Sequence, residues 1–190
     1  MQQLSENVIV LNVGDQIPPG TEDSLKIFLT GSIDVGPSGE FNWQARFQDA
    51  FVKLVSPTEG MLAYSRFNYI LISNYYVPKN PVPNIFNEEA VNKLDWELGM
   101  MEAADCIFVN FLKRSQAALP LFYYGYASRS QRVLVRCPEE YRDYWLVYNI
   151  AKRFNIPFIP GKIGSVAQIV GMMFSFCPKF QDITRTQLPE

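Results

Sequence analysis

The sequence predicts a doubly wound α/β fold, and three observations predict it. Short apolar runs that read as buried strands alternate with stretches of helical periodicity along most of the chain. Gly, Pro and Asn punctuate the junctions between them. Strands separated by helices need parallel crossovers, and a parallel sheet is covered on both faces.

Each element follows from its own residues. Met1 to Asp23 carries a short apolar stretch, Val8 to Leu11, and then a Pro-Pro-Gly turn at Pro18 to Gly20. This segment reads either as an added edge strand or as an ordered arm. Lys26 to Thr30 is an apolar run ending at Gly31-Ser32, a buried strand that meets a turn. Glu40 to Leu54 reads as a helix with Phe47, Phe51 and Leu54 on one side. Tyr69 to Ser73 is the next strand, and it ends at Asn74. The following loop holds Pro78, Pro81 and Pro83, too many prolines for a helix or a central strand. Glu88 to Ala104 is a helix whose Val91, Leu94, Leu98 and Met101 form a core stripe. Cys106 to Asn110 is a strand, and Gln116 to Ala127 a helix in which Pro120 is tolerated only near the first turn. Arg132 to Arg136 is a strand. Pro138 to Phe154 is a helix opened by Pro138-Glu139-Glu140, proline and acids where the helix dipole favours them. Ile156 to Ile159 is a short edge strand, Val166 to Phe176 a closing helix, and Pro178 to Glu190 a polar tail expected to fray. The expected architecture is a Rossmann-like (flavodoxin-like) three-layer sandwich with a parallel sheet of about five strands. The domain spans residues 24–177, between an arm or edge strand at 1–23 and a tail at 178–190.

Composition narrows the chemistry. The chain has 190 residues, enough for one compact domain with a sizeable core. A net charge of −2 argues against a nucleic-acid polymer as partner, because phosphate tracks need clustered Lys and Arg. Arg129, Arg132 and Arg136 are the nearest thing to a basic cluster and read as a solvated strand flank. Histidine is absent, which excludes Ser-His-Asp and Cys-His nucleophile systems and most zinc and non-haem iron sites. No metal and no cofactor are expected; carboxylates, Tyr, Lys and Cys remain for acid–base work. Cys106, Cys137 and Cys177 are odd in number and widely spaced, unlike a disulfide framework. No secretory signal and no membrane-length apolar run is visible, so a cytoplasmic protein without a membrane partner is expected.

Ligands of doubly wound sheets sit outside the carboxyl ends of the strands. The residues to inspect are therefore those where strands hand over to helices. Thr30-Gly31-Ser32-Ile33-Asp34 is a small-residue turn that lets a ligand approach backbone N–H groups, or is a plain strand–helix turn. Glu97 sits at the edge of its helix's apolar stripe: a solvated carboxylate, or one half inside a cleft and able to donate a proton. Asp105 starts a strand after Ala103-Ala104, where a charged residue can simply end the helix before it. Ser115 and Gln116 are placed to contact a sugar. Phe122, Tyr123, Tyr124 and Tyr126 form an aromatic turn that packs in the core or stacks on a base.

Phe28-Leu29-Thr30-Gly31-Ser32-Ile33, then Asn42-Trp43-Gln44, Ile72-Ser73-Asn74, Asp95-Trp96-Glu97 and Ala104-Asp105 resemble, in order and spacing, the nucleoside 2-deoxyribosyltransferase-like family. The resemblance runs from about Lys26 to Ile156. It implies cleavage of the N-glycosidic bond of a 2′-deoxynucleoside or nucleotide through a glutamate nucleophile, by transfer or hydrolysis. It also implies substrate contacts from Gly31, Ser32, Asp34, Trp43, Asn74, Tyr76, Asn110, Ser115 and Gln116, with Glu97 and Asp105 near the pocket. The chain departs from the family pattern where a helix should read E-L-G: it reads Tyr123-Tyr124-Gly125, so Tyr123 takes the nucleophile's place. The N-P-R stretch reads Asn74-Tyr75-Tyr76. A phenol of pKa about 10 is a poor nucleophile unless a neighbouring base activates it. Three readings follow. The chain is a deoxyribosyltransferase or nucleoside hydrolase; or a nucleoside-binding module with impaired chemistry; or a structural protein whose Tyr144, Trp145 and Tyr148 serve a homo-oligomer interface.

Overall fold

The computed structural model describes residues 1–32, 42–56, 62–65, 67–75, 88–113, 115, 118–161 and 165–181. The elements are β1 (Gln2–Ser5), β2 (Val8–Leu11), β3 (Leu25–Gly31), α1 (Trp43–Val55), α2 (Leu62–Ser65), β4 (Tyr69–Ser73), α3 (Glu88–Ala103), β5 (Cys106–Asn110), α4 (Leu119–Ala127), β6 (Val133–Cys137), α5 (Tyr144–Phe154), β7 (Phe158–Pro160) and α6 (Val166–Phe176). They build an α/β sandwich around one sheet of order β1-β2-β4-β3-β5-β6-β7. Every pairing is parallel except β1 with β2. The run β4-β3-β5-β6-β7 is the flavodoxin-like order, in which the chain reverses direction across the sheet beside β3.

Period-two alternation splits the core into two layers. Ile27, Leu29, Leu71, Cys106 and Phe108 pack against Trp43, Phe47 and Phe51 of α1 and Ile169, Val170 and Met173 of α6. Phe28, Ile70, Ile72, Ile107 and Val109 pack against Met101 of α3, Tyr123, Tyr124 and Ala127 of α4, and Val147 and Ala151 of α5. Local caps fix where the helices begin and end. Asn42 accepts from the Ala45 N–H (3.0 Å) at the start of α1, and Ser165 from Gln168 N–H (3.2 Å) at α6. Asn155 closes α5 in the left-handed region, at φ 53°.

Several expectations are corrected. The sheet has seven strands rather than about five, because β2 pairs with β4 in parallel and β1 adds an antiparallel edge. Asn7 locks that hairpin down: its amide donates to the carbonyls of Val55 (2.9 Å) and Phe67 (3.2 Å). The helix expected from Pro138 begins at Tyr144, because Pro138 opens two successive tight turns instead (Tyr141 N–H to Pro138 O, 2.9 Å; Tyr144 N–H to Tyr141 O, 3.0 Å). α4 begins at Leu119, with Pro120 in its first turn. Val91 is half exposed and lies outside the core stripe of α3. The start of the tail is ordered: residues 178–181 form a helical turn and Phe180 is buried. All three cysteines are free and buried. Among the described residues no helix is long and apolar enough to cross a membrane, and no group of three or more His, Cys, Asp or Glu could hold a metal ion.

Candidate functional site

The carboxyl ends of the central strands carry a floor of buried polar side chains. Asn74, just past β4, donates to the Thr30 hydroxyl (2.9 Å) and accepts from the Gln44 amide (2.9 Å). Ser73 in turn donates to Gln44 Oε1. Thr30 and Gln44 are fully buried, so the network ties α1 to the carboxyl ends of β3 and β4. A second set joins β3 to β5. Ser32 N–H donates to the Asn110 carbonyl (2.9 Å), and the Ser32 hydroxyl accepts from Leu112 N–H (3.2 Å). The Trp43 indole donates to the Ser32 carbonyl (2.9 Å). Buried polar groups must be paired, and these pair with one another.

A carboxylate stands in the helical layer of the same side. Glu97 of α3 is 1% exposed, and so is Tyr123 of α4. The Tyr123 hydroxyl donates to Glu97 Oε2, while Lys93, one helical turn before Glu97, pairs with Oε1 at 2.9 Å. The two oxygens are thus engaged separately and the carboxylate plane is fixed. The adjacent Trp96 donates its indole N–H to the Asp15 carbonyl, in the loop beyond the carboxyl end of β2 (2.6 Å), which sets this turn of α3 level with that edge. Burial, then the hydrogen bond to Glu97 and its charge, push the Tyr123 hydroxyl well above the usual phenol range. Tyr123 is therefore a neutral donor at physiological pH.

That shift has a consequence for stability. Tyr69 and Tyr124 are also raised, chiefly by burial. A tyrosine held neutral in the folded state keeps its proton when the unfolded chain loses it. Its contribution is whole below about pH 10 and falls as pH climbs from there towards the folded value. Each such tyrosine adds up to about 1.4 kcal/mol of lost stability per pH unit. Urea unfolding between pH 9 and 11.5 should show this decline, and Tyr123→Phe should make it shallower. An identical slope in the variant would contradict the assignment.

The structure brings some of the expected site residues together and separates others. Gly31, Ser32, Trp43, Asn74 and Asn110 cluster at the carboxyl edge of β3, β4 and β5. The Ser32 N–H expected to face a ligand is already given to Asn110. Ser115 is buried beside them, its N–H on the Leu112 carbonyl (3.1 Å). Asp34, Tyr76 and Gln116 lie outside the described residues. The expectation that Asp105 lies near the pocket at the carboxyl edge is corrected. Asp105 precedes β5 and so lies at the amino edge, where it accepts from Lys26 N–H (2.8 Å) and pairs with Lys179 (3.2 Å). A recess of about 190 Å³ between Met101, Ile107, Tyr126 and Arg132 also lies towards that edge, away from the Tyr123–Glu97 pair.

Two residues were missed. Lys93 was legible as an i, i+4 partner once Glu97 was known to face inward. Arg136 was read as a solvated flank, yet its guanidinium bonds the Asn110 side-chain carbonyl (2.9 Å), the Phe111 carbonyl (3.1 Å) and the Gly161 carbonyl (2.8 Å).

A family model described as nucleoside 2-deoxyribosyltransferase like matches residues 24–141, more than half of the chain. No curated protein matches it.

Proposed function

The chain belongs to the nucleoside 2-deoxyribosyltransferase-like family, and from that premise we propose that it cleaves the N-glycosidic bond of 2′-deoxynucleosides or their nucleotides with Glu97 as the reactive carboxylate. One observation carries this reading: Glu97 of α3 hydrogen-bonds to Tyr123, the position of α4 where the family resemblance expects a glutamate. The buried carboxylate of Glu97 is therefore in hydrogen-bond contact with the residue at the position where the resemblance expects the nucleophile.

A Glu97 oxygen bonds to C1′ as the C1′–N bond breaks, and the departing base carries off the bonding pair and takes a proton from water. A second base, or water, then attacks C1′, gives up its own proton, and frees the carboxylate. Tyr123 and Lys93 would act as positioning residues, each holding one oxygen and leaving it a further lone pair. An oxocarbenium-like transition state gains from the nearby negative charge. The partner is then a small molecule, with no cofactor needed by this route.

Incubating the protein with each 2′-deoxynucleoside and its 5′-phosphate, with and without an acceptor base, should release free base detectable by chromatography. No release from any pairing would reject the reading.

A specific observation favours a second reading, binding without turnover. One helical turn on, Tyr126 donates to Glu102 (2.6 Å) on the same two helices, at an exposed position. A Tyr–Glu rung can therefore tie α4 to α3 with no chemistry attached. On that reading a nucleoside binds by calorimetry and is recovered intact.

A further inference from the structure

Arg136 is a half-buried cation whose hydrogen-bond partners among the described residues are all neutral. Its three acceptors are an amide oxygen and two backbone carbonyls. None of the ion pairs among the described residues includes it. Glu140, whose charge acts on it, is paired with Lys113 at 2.8 Å. Burial depresses the guanidinium's pKa, as it does for a charge short of compensation.

The geometry leaves a defined set of donors over. Of five guanidinium N–H groups, Nε and Nη1 use three, so both hydrogens of Nη2 remain. Asn110 is 97% buried by its 3% exposure, and its Oδ1 accepts from Arg136, which turns its amide nitrogen and two more hydrogens away from the guanidinium. Neither group has another partner among the described residues. Asn110 ends β5 and pairs in register with Arg136 on β6 and Gly31 on β3. The two Nη2 hydrogens of a guanidinium bonded only to neutral acceptors, and the amide of the neighbouring Asn110, thus lie at the carboxyl ends of adjacent strands. That is an arrangement for an anion with several acceptor oxygens, and a fork-shaped guanidinium suits a phosphate best.

We propose that Arg136 and Asn110 form an anion subsite that takes the phosphate monoester of a nucleotide. The subsite stands on this geometry; that its anion is the substrate's phosphate rests on the function proposed above. Arg136, anchored by three acceptors, would meet the phosphate without losing further side-chain freedom, and Asn110 would add neutral donors to the same group.

Two measurements separate the subsite from the reaction. In the first, inorganic phosphate is titrated by calorimetry into the native protein, Arg136→Gln and Arg136→Lys, with chloride at equal ionic strength as control. Saturable binding by the native protein, weakened at least tenfold in Arg136→Gln and to an intermediate degree in Arg136→Lys, is the expected result. Circular dichroism melts of each variant verify that it is folded. Equal binding by folded native and variant proteins, or no binding by the native protein, overturns the subsite. In the second, kcat/KM is compared for a 2′-deoxynucleoside and its 5′-phosphate. The phosphate should be preferred at least tenfold, and the preference should collapse towards one in Arg136→Gln and fall part of the way in Arg136→Lys. Equal use of both substrates with no change in the variant overturns the nucleotide assignment while leaving glycosidic cleavage intact. Arg136-dependent phosphate binding with neither substrate cleaved rejects the proposed reaction and retains the subsite.

Discussion

Gly31→Ala is expected to lower stability by about 3–5 kcal/mol, the largest loss from adding a single methyl group anywhere in the described glycines. Gly31 sits at φ +141°, a backbone conformation that costs an L side chain about 1–3 kcal/mol. Space is shorter still. A Cβ there would collide with the Asn110 carbonyl oxygen and lie 2.7 Å from the Asn110 backbone nitrogen. These are atoms of the neighbouring strand and cannot swing aside, so overpacking adds about 1–3 kcal/mol. The bond from Ser32 N–H to the Asn110 carbonyl is lost as β3 and β5 part. Gly20 provides the control: it also has positive φ, at +76°, but nothing lies within 4 Å of its added Cβ. Parallel urea melts of Gly31→Ala and Gly20→Ala check this. If the two variants lie within about 1 kcal/mol of each other, the near-contact with Asn110 is not what requires glycine. A folded Gly31→Ala protein should also bind phosphate less well, because the strand end it displaces carries Asn110.

The same residue shows what was legible in the sequence. Gly31-Ser32 was recognisable as the end of a buried strand, since an apolar run stops there. Its glycine suggested close approach of a ligand, and close approach is what it provides, but to the backbone of β5. Central strands were readable because both faces are buried and the runs are unbroken. The four-residue strands β1 and β2 were ambiguous, because their place depends on Asn7 reaching two distant carbonyls, which no local pattern records. Pro138-Glu139-Glu140 suggests an earlier start for α5 than the structure has, because proline and acids suit a tight turn as well as a first helical turn.

Around the site, periodicity misled where a polar residue holds a core position. Apolar spacing puts Val91 on the stripe of α3, whereas the residue that turns inward to α4 is Glu97. A buried carboxylate becomes visible only when its partners Lys93 and Tyr123 are in place. Asp105 could have been placed correctly from strand direction alone, since a residue preceding a parallel strand lies at the amino edge, opposite the ligand side. Strand alternation sets Arg136 between buried Val135 and Cys137 and makes it look like a flank; its three acceptors come from Asn110 at the end of β5, Phe111 just past it and Gly161 after β7, out of reach of local reading.

Glu97→Gln is expected to reduce base release by about 10³-fold or more, as loss of a nucleophile does when no other group replaces it. The substitution keeps the shape of the side chain and an oxygen that accepts from Tyr123, but removes the charge that attacks C1′ and steadies the cationic transition state. Tyr123→Phe removes only the hydroxyl that orients the carboxylate, so its effect on kcat should be smaller, about 10–100-fold, with KM little changed. The double variant should be no slower than Glu97→Gln alone, because both act through one oxygen pair. Stability moves differently. Tyr123→Phe leaves a Glu97 oxygen without its donor and Glu97→Gln removes the charge that pairs with Lys93, and each should cost about 1–3 kcal/mol. Single-turnover measurements on native protein and the three variants, with urea melts alongside, separate the two possibilities. Where Tyr123–Glu97 is a structural tie like Tyr126–Glu102, stability falls in both variants while nucleoside affinity stays level and no base is released by any of the proteins. Where Glu97 is the nucleophile, Glu97→Gln still binds the nucleoside and holds it uncleaved.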